Sequence, residues 1–138
     1  MPADRRPLRL DRLRRIEPGF AFVPNRFFHD GFFVSLDHVE RSLYLFLVLA
    51  GDRYGVSFYA YDRICDALAL TLDEYLVVRD SLIDKDLIAF DGKRFQVLSL
   101  PSAPIAPEPR PLVSAEDFAD HDPATIQHTI RAALARRK

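Results

Sequence analysis

Basic side chains are the most concentrated chemical feature of this chain. The first 18 residues contain six arginines against three carboxylates. The arginines are Arg5, Arg6, Arg9, Arg12, Arg14 and Arg15. A guanidinium stays charged at physiological pH, and its fork of donors suits phosphate or carboxylate. Such a segment either contacts nucleic acid or serves only as a solvated tail.

The formal net charge of −1 hides an uneven distribution of charge. Residues 19–100 carry eight basic and twelve acidic side chains, and residues 101–138 carry five of each. The excess of positive charge therefore lies in the N-terminal arm, residues 1–18. If this protein binds a polyanion, we expect the arm to make the main electrostatic contribution.

The residues that usually perform catalysis or hold metals are scattered. Cys65 is the single cysteine, so it forms no internal disulfide and has no partner at zinc-ligand spacing. The four histidines show no metal-binding spacing, and the chain has no glycine-rich phosphate loop. Asp80, Asp84 and Asp86 could form a magnesium cluster, but helical spacing favours a solvated face. We expect no enzymatic activity, no cofactor and no metal.

The apolar segments are too short for a membrane protein. The longest apolar run, residues 43–50, is far below the roughly 20 residues that span a bilayer. The basic N-terminus is not followed by the apolar core of a signal peptide. With one cysteine and a single respectable core, the sequence predicts a cytoplasmic protein with one main domain.

A helix followed by a hairpin is the clearest structural pattern. Thr71 and Glu74 stand at capping-box spacing, which predicts a helix that starts there and continues through Leu82. Asp91 and Gly92 lie between two strand-like segments, Ile88–Phe90 and Phe95–Val97. This pair predicts a tight hairpin with a two-residue type I′ turn.

Two more helices are predicted before this one. Ser35 is placed to cap a helix over residues 36–50, and a second helix is expected over Tyr61–Leu68 with Ile64, Cys65 and Leu68 inward. The second half of the first helix is apolar on nearly every side, so it must be buried all round. Either a second copy of the chain covers it, or the aromatic segment 20–33 wraps over it. Residues 20–23 are predicted to form a short strand.

Proline then sets the boundaries of the C-terminal part. We predict a domain over residues 19–100, a proline-rich linker with a short capped segment over 101–121, and an amphipathic helix over 122–138. Ile126, Ile130 and Leu134 lie on one stripe of this last helix. It could dock on its own chain, dimerise or bind elsewhere.

The segments YDRICDALALT at 61–71 and LIDKDLI at 82–88 resemble the helix-turn-helix and wing entry of bacterial winged-helix proteins. The resemblance covers residues 36–98, and is strongest to small winged-helix proteins of bacterial mobile elements and N-terminal modules of plasmid replication initiators. This sequence departs from the family pattern at Ala69, where many members have a turn glycine, and at the start of the second helix, which lacks a capping residue. It implies an α+β fold, mainly α with a small β-hairpin, and a DNA-binding role in transcription regulation or replication.

In that family the third helix lies in the major groove and the wing contacts phosphate or the minor groove. Here the outer arc of the third helix has four carboxylates and no cation, which would repel phosphate. This arc consists of Asp73, Glu74, Val77, Asp80, Ser81 and Asp84.

Two hypotheses follow. In the favoured one, DNA is held by the six arm arginines and the wing residues Lys93 and Arg94, with Arg136, Arg137 and Lys138 as further candidates. In the other, the protein is an adaptor whose acidic third helix binds a basic protein partner. In either case we expect a homodimer through the helix at 36–50 or through the C-terminal helix.

Two smaller features remain open. Arg79 lies inside the apolar arc of the third helix, which predicts a structural ion pair with Asp62 or Asp66. Tyr54, Tyr59 and Tyr61 could stack on nucleobases, or they could complete the core.

Overall fold

The computed structural model describes residues 4–106 and 123–135, which form an α+β fold. In chain order the elements are α1 (Arg26–His29), α2 (Phe32–Ser35), α3 (His38–Ala50), β1 (Val56–Ser57), α4 (Tyr61–Leu68), α5 (Leu72–Asp84), β2 (Ile88–Phe90), β3 (Phe95–Val97) and α6 (Pro123–Ala135). A single 3₁₀ turn, Leu10–Arg12, lies in the arm. Within the described residues, no helix has both the length and the apolar character needed to cross a membrane.

The three strands form one antiparallel sheet with β3 in the centre. Phe90 pairs with Phe95 across β2 and β3, and Val56 pairs with Gln96 across β1 and β3. The Phe90 and Phe95 rings stack with their centroids 4.2 Å apart. The predicted strands at 88–90 and 95–97 are confirmed.

The chain reaches β1 through a very close approach of two backbone segments. Gly55 has φ +80°, and its carbonyl accepts a hydrogen bond of 2.9 Å from the Val97 amide. A Cβ atom at position 55 would lie 2.7 Å from the Val97 carbonyl oxygen. Both the positive φ and the short approach therefore require glycine here.

The core lies between helices α3, α4 and α5 and one face of the sheet. Its largest fully buried side chains come from every one of these elements and from α2. They are Phe32, Leu43, Leu47, Ile64, Tyr75, Leu82, Leu87, Ile88 and Phe95. The predicted helix at Tyr61–Leu68 is confirmed, with Ile64 fully buried and Cys65 and Leu68 packed against the core.

The helix α3 starts later than predicted. Asp37, not Ser35, is its N-cap, and Asp37 and Glu40 form a capping box with hydrogen bonds of 2.8 and 3.0 Å. Ser35 instead ends α2, where its hydroxyl donates to the Phe32 carbonyl. Leu36 between them is extended, which separates the two helices. The prediction of a Ser35 cap was therefore wrong because α2 had not been recognised.

The aromatic segment covers only part of α3. Residues 20–23 form no strand, so that prediction was wrong; they run exposed along the surface. Phe27 stacks on Tyr44 of α3 at 4.8 Å between ring centroids. Leu45 and Leu49 on the same helix remain 53% and 66% exposed. The aromatic segment therefore covers part of the apolar surface of α3, and the rest of that surface is exposed to solvent.

The hairpin turn differs from the predicted type. Four residues, 91–94, connect β2 to β3, so the prediction of a two-residue type I′ turn was wrong. The Asp91 carboxylate accepts hydrogen bonds from the Lys93 and Arg94 amides, which stabilises a longer loop. Gly92 has the positive φ, +96°.

The turn between α4 and α5 is tight and left-handed. Ala69 has φ 55° and ψ 47°, and the Leu70 amide donates back to the Cys65 carbonyl at 2.9 Å. Ala60, at the N-cap of α4, provides no side-chain cap. The capping box of α5 is confirmed, because Thr71 and Glu74 exchange two hydrogen bonds of 3.1 Å.

The helix α6 packs against α5 of the same chain. Ala124 is fully buried in this contact region, and His128 Nδ1 lies against Asp73 Oδ1. Further along the helix, Ile130 and Leu134 are at least half exposed. Docking on its own chain, dimerisation and binding elsewhere were the three alternatives for this helix. The structure shows it docked on its own chain.

Candidate nucleic-acid interface

The arm presents its arginines on the surface, but they are not equivalent. All six are exposed. Arg6 pairs with Asp4 at 2.9 Å, and Arg9 pairs with Asp11 at 2.8 Å. The hydrogen bonds from Arg6 lower the pKa of Asp4, and the same contact raises the pKa of Arg6.

The other four arm arginines make no ion pair within the described residues. They are Arg5, Arg12, Arg14 and Arg15. Their charge is available to an external anion without breaking an existing contact. The 3₁₀ turn Leu10–Arg12 separates Arg9 from the Arg14–Arg15 pair.

The hairpin loop, residues 91–94, carries the other predicted contacts. Arg94 Nε pairs with Asp91 Oδ2 at 2.9 Å, whereas the Lys93 side chain is exposed. The pKa of Asp91 is lowered to about 2, first by the hydrogen bonds from the Arg94 and Lys93 amides and then by the Arg94 side chain. The loop is thus pre-formed around a carboxylate and directs one exposed ammonium outward.

The outer arc of α5 is largely engaged within the chain. Asp73 contacts His128, and Glu74 belongs to the capping box. The Ser81 hydroxyl donates to Glu40 at 2.8 Å, so it faces the interior side of the helix. Val77 is 69% exposed. Asp80 and Asp84 are half-buried. This surface is therefore acidic and partly occupied by α6.

The buried Arg79 side chain pairs with a different carboxylate from those predicted. It donates to Asp80 at 3.0 to 3.1 Å, and the two predicted partners, Asp62 and Asp66, lie mostly exposed on α4. The guanidinium also lies over the Tyr75 and Phe90 rings, 5.7 and 5.1 Å from their centroids. The guanidinium thus contacts the Asp80 carboxylate and two aromatic rings, and not the predicted carboxylates of α4.

Sequence reasoning missed a second buried ionic contact. Lys85 Nζ lies 2.7 Å from Glu40 Oε2, which also accepts from Ser81. Glu40 belongs to the first turn of α3. Its capping-box spacing with Asp37 was a signal in the sequence, but the pairing with Lys85 depends on the packing of α3 against α5.

An aromatic pocket of about 360 Å³ opens beside the hairpin loop. Its walls come from the segment between β1 and α4, from α5, from the hairpin and from the start of α6. We define the aromatic pocket by Phe58, Tyr59, Tyr75, Phe90, Lys93 and Pro123. Phe58 is 70% exposed and Tyr59 is 42% exposed, and Phe58 had not been singled out in the sequence.

A larger cavity of about 860 Å³ lies between residues 19–24 and the C-terminal half of α3. Tyr44, Val48 and Leu49 form one wall, and residues 97–100 form another. The exposed Tyr54 stands at its edge, under the Arg53 guanidinium. The three tyrosines thus divide between two places: Tyr54 lies at this cavity, whereas Tyr59 and Tyr61 both line the aromatic pocket. Tyr61 also packs against the core.

The remaining candidates for reactive chemistry are the Cys65 thiol and possible metal ligands. Burial raises the pKa of the Cys65 thiol, with smaller contributions from Asp66 and Asp62, so the thiolate is disfavoured. In the same part of the chain, no group of three or more His, Cys, Asp or Glu side chains is arranged to hold a metal ion. Arg136, Arg137, Lys138 and His121 lie outside the described residues.

Comparison of the chain with protein-family models, with curated proteins and with solved structures gives no match.

Proposed function

We propose that this protein is a winged helix-turn-helix module that binds nucleic acid through its N-terminal arm and its hairpin loop. In this proposal α3, α4 and α5 are the three helices of the module, and β2 and β3 form the wing. The observation that carries it is a set of four exposed arm arginines that form no ion pair with any residue that the structure describes: Arg5, Arg12, Arg14 and Arg15. The cellular role would be that of a cytoplasmic transcription regulator or an accessory of a mobile element.

The electrostatics favour the arm over α5 as the main contact. The outer arc of α5 carries carboxylates, and α6 already packs against that helix. An extended arginine-rich segment, in contrast, suits the narrow minor groove, where the negative potential is strongest. Lys93 on the hairpin loop would add a contact to a phosphate.

The test is a titration of fluorescent random-sequence duplex DNA, followed by anisotropy at several salt concentrations. We expect log K to fall with log salt by about 0.9 for each phosphate neutralised. Combined substitution R12A, R14A and R15A should reduce the affinity at least tenfold and flatten this slope, because three unpaired cations are lost. The corresponding lysine variant is the control, and should keep most of the slope. Duplex affinity that survives the alanine substitutions would exclude the arm as the main contact.

A protein-binding adaptor is the second candidate, and the acidic arc of α5 favours it. Asp73 is exposed beside the uncovered apolar side chain of Val77, which is a suitable combination for a basic amphipathic segment. A fluorescent peptide of alternating lysine and leucine would bind this surface. Binding that is lost in D73N and V77D, but retained in the arm variant, would support the adaptor. Equal binding by all variants would exclude this surface.

Self-association through α3 is part of the proposal. Leu45 and Leu49 are exposed on one side of this helix, and burying them against a second copy would remove apolar surface from water. Sedimentation equilibrium should show a dimer that L45K and L49K together convert to a monomer. A monomeric wild-type protein at high concentration would exclude the dimer.

A further inference from the structure

We propose that the aromatic pocket binds an unstacked nucleobase of a single-stranded nucleic acid. This inference rests on the proposed function, since it adds binding of a single strand in the aromatic pocket to the duplex binding proposed for the arm. It assigns a role to Phe58 and Tyr59, which lie outside the arm.

The Phe58 ring, which lines the pocket, is exposed to solvent. Phe58 is 70% exposed and is followed by Tyr59. Both residues come directly after β1, which pairs with β3 in the sheet. Exposed aromatic rings grouped around a concave site are a typical platform for base stacking. Each base has a π-face, so such a platform tolerates any sequence.

Buried side chains support the pocket from below. Its floor includes Tyr75, which is 1% exposed, and Phe90, which stacks on the buried Phe95. Tyr59 makes an edge contact with Phe46 at 5.2 Å between centroids. The rings around the pocket are thus largely pre-positioned, which lowers the entropic cost of binding.

The charge of the pocket also suits a nucleotide. Lys93 lines the pocket and is exposed, and no ion pair to its ammonium is formed within the described residues. Beneath the floor, the Arg79 guanidinium lies against the rings of Tyr75 and Phe90. A cation at the rim beside stacking surfaces fits a ligand that joins a flat ring to a phosphate. A proline-rich peptide also suits aromatic grooves, but it supplies no anion for Lys93.

The experiment uses the full chain and an oligothymidylate that contains one 2-aminopurine, whose fluorescence is quenched when the base stacks. We expect quenching on binding, and a single-strand affinity about tenfold weaker in F58A than in the wild type. The slope of log K against log salt should decrease by about 0.7 in K93A, because one phosphate contact is lost. F28A is the matched control, since Phe28 is 61% exposed but lies on α1 and does not line the pocket. F58A should leave duplex binding unchanged.

The outcomes separate this inference from the proposed function. If the duplex binds through the arm, but F58A and the wild type bind the single strand equally and without quenching, the pocket assignment is wrong and the proposed function stands. If neither form of nucleic acid binds, both fail. A peptide with the sequence of residues 101–111 is titrated in parallel. If the wild type binds this peptide but not the oligonucleotide, and F58A does not bind the peptide, the pocket would be assigned to a proline-rich ligand instead.

Discussion

The Lys85 ammonium lies 2.7 Å from a carboxylate oxygen of Glu40, and both side chains are almost fully buried, with 13% and 7% of their surfaces exposed. The same oxygen accepts the Ser81 hydroxyl, while the other oxygen accepts the Asp37 amide. Lys85 also donates to the Ser35 carbonyl at 3.0 Å. The start of α3 is thus fixed to the end of α5 by a fully hydrogen-bonded carboxylate.

Removal of Lys85 should be strongly destabilising, because it leaves the Glu40 charge buried without its cation. We expect K85M to lower the free energy of unfolding by about 3 kcal/mol, measured by urea denaturation. E40Q combined with K85M should recover most of this loss, since the glutamine keeps a hydrogen-bond acceptor for Asp37 and carries no charge. A loss below about 0.5 kcal/mol in K85M would mean that water solvates Glu40 in the folded protein.

Glycine at position 69 should stabilise the fold. Ala69 is held at φ 55°, a conformation that costs an alanine about 1 kcal/mol and glycine much less. We expect A69G to raise the free energy of unfolding by about 0.5 to 1 kcal/mol. A67G is the matched control, because Ala67 is exposed inside α4, where glycine should destabilise by a similar amount. Destabilisation by both variants would contradict the left-handed geometry of this turn.

The hairpin loop should lose its order only in strong acid. The pKa of Asp91 is about 2 in the folded protein against an ordinary value of 3.8, because the amides of Arg94 and Lys93 donate to the carboxylate. Because folding lowers this pKa, the ionised carboxylate stabilises the loop at pH values above 3.8. This stabilisation disappears as the pH falls through about 2. The Lys93 and Arg94 amide NMR signals should therefore titrate near pH 2 and not in D91N. Titration near pH 4 would show that these hydrogen bonds do not form.

A charge at the buried end of α6 should detach this helix from α5. Ala124 is completely buried, so A124E places a carboxylate where it has neither space nor water. We expect faster amide hydrogen exchange throughout α6, with the core amides unchanged. L134E is the control, because Leu134 is exposed and its substitution should leave the exchange rates of α6 nearly unaltered. If A124E had no effect, the packing of α6 on α5 would be excluded in solution.

The elements that follow local rules were predictable from the sequence. The bounds of α4 and the start of α5 depend on periodicity and on the Thr71–Glu74 capping box, which involve only neighbouring residues. The strands of the hairpin were also found. The loop between them was not, because the Asp91 side chain replaces a type I′ turn with its own hydrogen bonds to residues 93 and 94. Similarly, the start of α3 was misplaced because α2 is a single turn with no periodic signal.

The candidate site depends more heavily on tertiary structure. The cluster of arm arginines was evident from the composition of the first 18 residues. Which of them form ion pairs depends on the local conformation that brings Asp4 to Arg6 and Asp11 to Arg9. The aromatic pocket was not predictable, because Phe58 and Lys93 are far apart in sequence and meet only through the folding of β1 and the hairpin against α5. Arg79 forms its ion pair with Asp80 of the same helix, and helical periodicity did not indicate this partner.

The contact of Gly55 with Val97 has a consequence for how freely this sequence can vary. Any side chain at position 55 would collide with backbone, which no change of a neighbouring rotamer can relieve. Gly19 also has a positive φ, but a Cβ there would meet nothing within 4 Å. In a saturation library, position 55 should therefore accept glycine alone, while position 19 should accept asparagine and aspartate as well.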